Sequence, residues 1–172
     1  STAEAYYKQS PANYIIGMLY AKTLMLNNQY KKADALLGKL NILPFENSTE
    51  GRELYSEAKL FLALEQMQKK NYSQALAFIA DSRSWPESLG AGKPYEENID
   101  GRLEDWMSNL CYGKMNKPDL AKAALQKIIS FTPKIENTLA NFLAPNALVS
   151  AWVIEKETSK EKATGENAVP QH

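Results

Sequence analysis

Gly90, Gly92 and Lys93 are the residues whose types and spacing come nearest to chemistry. Glycine-rich turns aim backbone N–H groups at anions, and a lysine adds charge. A phosphate-binding P-loop also needs a glycine five residues before its Gly-Lys pair and a Ser or Thr after the lysine, and this chain has Glu87 and Pro94 there. The competing reading is a surface connector in which Trp85 and Leu89 anchor the loop on neighbouring helices. Metal and nucleophile chemistry find less material. Zinc takes three or four Cys, His or carboxylate ligands, and the sequence holds one histidine, His172, and one cysteine, Cys111. A hydrolytic triad needs a base beside its nucleophile, and no such set assembles. Glu104 and Asp105 are adjacent, so on a helix they point to different faces and suit ion pairing with Arg102 better than paired acid–base work. The chemistry of the chain points to no enzyme and to no cofactor.

The elements that would position these residues are helical. Ala, Leu, Lys, Gln and Glu dominate and no strand-like alternation appears, so the fold class is all-α. Two stretches echo each other forty-two residues apart. Tyr30 precedes Ala33 by three, with Leu37, Leu40 and Pro44 beyond, and Tyr72 precedes Ala75 by three, with Ile79 and Pro86 beyond. Each describes a short helix with one packed face and a proline stop. Hairpins are predicted over about 11–44, 47–86 and 100–133, with a partial unit at 146–157. Ser10-Pro11 and Pro118 stand at helix starts, and Asn47 with Glu50 resembles a capping box. The second helix of the first hairpin is expected to reach about Leu40. In the third hairpin Ala121 and Ala123 compete for the place of Ala33. The partial unit is expected to bury Leu148, Trp152 and Ala151. These segments form one helical-repeat domain, 1–157, followed by a polar, loose tail, 158–172, with at most a short helix.

With 172 residues, the chain is long enough for a domain that buries about 70% of its unfolded surface. It is 44% hydrophobic and 23% charged, an ordinary composition for a water-soluble protein. Twenty basic and twenty acidic side chains cancel, which argues against nucleic acid, where affinity rests on neutralising phosphates. The apolar run from Tyr14 to Leu26 is broken by Lys22 and Thr23 and is shorter than the roughly 20 residues of a membrane span. A single cysteine excludes an internal disulfide, and Cys111 reads as core. The start at Ser1 reads as a processed or excised boundary, leaving the compartment open.

The small residues Ala21 and Ala63 at mid-helix, the Asn-Gln-Tyr and Lys-Asn-Tyr turns, Ala33 and Ala75, and the following prolines together resemble the tetratricopeptide repeat. The repeat is longer than that family's usual unit and lacks its early tryptophan and mid-helix glycine. The resemblance implies a right-handed α-solenoid of stacked antiparallel hairpins. The segment from Trp85 to Pro94, with Arg102-Leu103-Glu104-Asp105, is also similar to repeat regions of large bacterial proteins carrying a carbohydrate-enzyme-like domain. That similarity implies a bacterial envelope or periplasmic setting. By analogy with the repeat family, a partner-binding groove would be lined by Met18, Lys22, Met25, Leu60, Leu64, Met67 and Trp106, with Leu110 beside it. Only Lys22 suits a carboxylate clamp, so the expected ligand is the apolar face of a helix or an extended peptide. The same side chains at helical spacing also read as core.

The function expected is that of a protein-interaction or scaffold module, monomeric or weakly oligomeric, with a protein or peptide as partner. Two alternatives stay open: a structural spacer arm beside a carbohydrate-related domain, and a small-ligand site in the 85–102 loop using Trp85, Gly90, Gly92, Lys93 and Arg102.

Overall fold

The computed structural model describes residues 2–44, 49–131 and 143–165. Among them all regular structure is helical, in agreement with the all-α expectation. The helices are α1 (Thr2–Gln9), α2 (Tyr14–Leu26), α3 (Tyr30–Leu37), α4 (Glu50–Gln68), α5 (Tyr72–Ser82), α6 (Arg102–Lys114), α7 (Pro118–Ser130) and α8 (Leu143–Gly165). Single 3₁₀ turns occupy Glu87–Leu89 and Glu96–Asn98. The chain divides into two compact units, Ser1–Pro94 and Tyr95–His172.

Three hairpins, α2–α3, α4–α5 and α6–α7, close on the same turn. Asn28, Lys70 and Asn116 each adopt a left-handed backbone, with φ of 56°, 59° and 55°. In the first turn the Asn28 N–H donates to Met25 O at 3.0 Å and the Gln29 N–H to Leu24 O at 2.9 Å. Lys70 and Asn71 donate in the same way to Met67 and Gln66, and Asn116 and Lys117 to Gly113 and Tyr112. This is the Schellman arrangement, which satisfies the last carbonyls of one helix while turning the chain into the next. Counted from the left-handed residue, Ala33, Ala75 and Ala121 share one position and Ala21, Ala63 and Asn109 another. The turn therefore aligns Ala121, not Ala123, with Ala33. In the third hairpin Asn109 replaces the small residue of the first two, and its amide donates to Ala121 O at 2.8 Å.

In the first unit Ala21, Ala33, Ala58, Ala63 and Ala75 are fully buried, which lets helix backbones approach closely. Tyr30 stacks on Phe61, with ring centroids 4.4 Å apart, and so fixes α4 against the start of α3. Lys59 on α4 reaches Asp34 on α3 at 3.0 Å and Asp81 on α5 at 3.6 Å, with the rings of Tyr55 and Phe78 within cation–π range. Burial works against the charge on Lys59, but the Asp34 carboxylate outweighs it and raises the ammonium pKa. Helix α3 ends at Leu37, earlier than expected, with Gly38 at its cap. Leu40 remains buried through two further turn hydrogen bonds, and it fills the space that Gly17 leaves beside α2. Helix α4 starts at Glu50, and Asn47 of the expected capping box lies outside the described residues.

In the second unit α7 begins at Pro118, as its sequence directs, and ends at Ser130; Pro133, the expected stop, lies outside the described residues. Helix α8 differs from its sequence reading. It buries Val149 and Val153 against Ile128, Leu103, Trp106 and Leu125, while Leu148, Ala151 and Trp152 are exposed. Ser150, next to Val149, accepts a hydrogen bond from Arg102, and the buried pair lies one residue along from the expected Leu148 and Trp152. The helix also continues to Gly165, beyond the short segment expected after Thr158; 166–172 lie outside the described residues.

Candidate interaction surface

The glycine loop is built as a packed strap. Ile42 N–H donates to Ser88 O at 2.8 Å, and Leu89 is almost completely buried. Gly90 takes a left-handed φ of 75°, and a Cβ there would stand 3.0 Å from Ile42 O. Gly51 is crowded from the same side, since a Cβ would meet Leu89 O at 3.0 Å. The Arg52 guanidinium donates to Ser82 O at 2.7 Å and lies 4.5 Å over the Trp85 ring. Gly90 and Trp85 are thus held by packing against α4 and the segment after α3. Gly92 and Lys93 are exposed, and a Cβ on Gly92 would meet nothing within 4 Å.

Arg102, in the second unit, is buried at the start of α6. Its Nε and Nη2 donate to the two Asp100 carboxylate oxygens at 2.9 and 2.7 Å, Nη1 donates to Ser150 Oγ at 2.8 Å, and Phe131 stacks 4.5 Å from the guanidinium. This fork-like engagement leaves the residue tying α6 to α8 rather than facing a ligand. Burial pushes the Asp100 carboxyl up, but hydrogen bonds from Arg102 and Asn146 prevail and hold its pKa below the ordinary carboxylate value. Cys111 is fully buried, and that burial raises its thiol pKa, the opposite of what a reactive thiolate needs.

The expected groove residues divide by depth. Met18 and Met25 belong to the core of the first unit. Leu60 and Met67 are half-buried, and Leu64 and Leu110 are exposed. Trp106 packs against Ile128, Val149 and Val153, with Lys156 Nζ 5.2 Å over its ring. Lys22 is partly exposed and forms an ion pair with Glu50.

A different face of α2 is open. Ile15, Leu19 and Leu26 are 65%, 58% and 85% exposed, and with Lys22 they form one stripe at spacings of four, three and four residues. Leu43 is exposed next to this stripe and shares with Ile15 the rim of a shallow depression that also includes Pro11 and Tyr14. The shared turn places Glu57, Phe61, Leu64 and Gln68 of α4 at the equivalent positions. There the end positions are polar and exposed, and Phe61 is covered by Tyr30. The outward apolar stripe is therefore a property of α2 and does not follow from the hairpin pattern.

The backbone beneath the stripe is closed. The helix starts at Tyr14 and is capped by Asn13, not by the expected Ser10, which closes α1 instead: Asn13 Oδ1 accepts from Ile15 N–H at 3.0 Å and Ile16 N–H at 3.3 Å. The Asn27 amide donates to Thr23 O at 2.7 Å, and the Schellman bonds complete the end. What α2 offers a partner is apolar side-chain surface with one cation in it. Among the described residues no helix is long and apolar enough to cross a membrane. No protein-family model, curated protein or solved structure matches the chain.

Proposed function

We propose that the chain is an interaction module made of right-handed, stacked helical hairpins of the tetratricopeptide kind, and that it holds a protein partner on the outer face of α2. The repeated Schellman turn and the aligned alanines support the hairpin array. The observation that carries the binding reading is the exposure of Ile15, Leu19 and Leu26, since apolar patches of this kind on a water-soluble surface mark contact sites. No bond-making step belongs to the reading. The Gly90 strap and the Arg102 fork are fully occupied as structural ties, and Cys111 is inside the core.

A triple variant tests it: Ile15→Glu, Leu19→Glu and Leu26→Glu. Since all three side chains already face water, helicity and melting temperature are expected to change little, within about 0.5 kcal/mol per site. Affinity capture with the wild-type chain is expected to retain a defined protein that the variant loses. Identical retention by both chains would place the contact away from α2, and retention of nothing by either would favour the spacer reading instead.

A further inference from the structure

We infer that the occupant of the α2 stripe is an amphipathic α-helix of about three turns that sets an acidic residue against Lys22. This rests on the binding reading and names its partner. The first argument is spacing. Ile15, Leu19, Lys22 and Leu26 follow one another at four, three and four residues, the 3.5-residue seam along which two helices pack side chain between side chain. At 1.5 Å per residue the stripe is about 16 Å long, matching three turns of a partner helix.

The second argument is hydrogen bonding. An extended peptide gains affinity by sharing backbone bonds with an edge, and α2 has its N–H groups capped by Asn13 and its last carbonyls closed by the Schellman turn. An extended chain laid on Ile15, Leu19 and Leu26 would lose water from its own backbone with no partner in return. A helix brings its backbone bonds with it. The third argument is charge. Lys22 is the one charged position in the seam and is bordered by leucines, so a cation opposite it would be repelled and a carboxylate held. Its present partner, Glu50, is exposed, so that pair is a weak surface contact which an incoming carboxylate joins or replaces.

The test uses the full chain and three fluorescein-labelled peptides of about 18 residues, measured by fluorescence anisotropy. The first carries leucines at seam spacing with glutamate at the central seam position, the second has lysine there, and the third has the first peptide's composition with its leucines out of register. The glutamate peptide is expected to bind at least tenfold more tightly than the lysine peptide, and the scrambled peptide not measurably. On a Lys22→Glu chain the preference is expected to reverse, and on a Leu19→Ser chain, checked by circular dichroism for retained helicity, binding is expected to fall at least tenfold. Equal binding of the scrambled peptide, indifference to the central charge, or no binding of any peptide overturns the inference. If the triple-glutamate variant still loses a captured partner, that failure concerns the helix and leaves the surface standing. Sedimentation that shows the unliganded chain self-associating through Leu19 would make the occupant a second copy and also overturns it.

Discussion

Ala33→Asp and Ala75→Asp are each expected to abolish cooperative folding of the chain. Both alanines are fully buried, one residue type at one position of two hairpins that share a turn. An aspartate there would be shut away from water. Burying an isolated carboxylate costs several kcal/mol even after relaxation, and the added atoms also force the helices apart. Against a total stability of about 5–15 kcal/mol, that loss leaves little folded protein. Ala35→Asp and Ala77→Asp make the controls, because those alanines lie on the same two helices, exposed to water. Thermal melts followed by circular dichroism should show lost or strongly lowered transitions for the first pair and near-wild-type transitions for the second. Equal behaviour of the two pairs would remove the shared register of the hairpins.

Arg102→Leu has the second largest expected effect. The guanidinium is buried, holds both oxygens of Asp100, reaches Ser150 on α8 and stacks on Phe131. Removing it strands a mostly buried carboxylate, which costs about 3 kcal/mol or more. A Lys replacement restores the charge but not the fork, so it is expected to recover only part of the loss. The same pair sets an acid limit. The pKa of Asp100 is depressed in the folded protein, so its contribution is fully present above its unfolded value near 3.9 and is lost as pH falls through the folded value. The wild-type chain should therefore lose stability on acidification below about pH 4, and the part due to this pair should be absent in Arg102→Leu. Chemical denaturation at neutral pH and at pH 3 measures both effects.

The hairpins were legible in the sequence because their local chemistry is strong. Alanine spacing, Pro118 at a helix start and the Asn-Gln-Tyr and Lys-Asn-Tyr turns all act over a few residues, and the structure realises them as helices joined by left-handed Asn28 and Lys70. The faces were less legible. Helix α2 is apolar nearly all round, Tyr-Ile-Ile-Gly-Met-Leu-Tyr-Ala, so periodicity does not say which side is buried. The family analogy put the working surface at Met18 and Met25, where long flexible side chains fill the core instead. Gly17, which admits Leu40, was the residue that could have fixed the buried side. In α8 side-chain size pointed to Trp152, but the side that meets Ile128, Leu103 and Leu125 carries the smaller Val149 and Val153. Arg102 presented itself as a possible ligand group, and only the fold shows its donors already taken by Asp100 and Ser150.

The most direct test of the central claim, that this chain works through the outer face of α2, is photo-cross-linking from position 19. A benzophenone amino acid replaces Leu19 in one chain and the exposed Ala35 of α3 in another, and both are irradiated in extract of the cells that make the protein. A light-dependent adduct with one defined protein from position 19, and none from position 35, is the result predicted here. No adduct from position 19, or the same adducts from both positions, would contradict it.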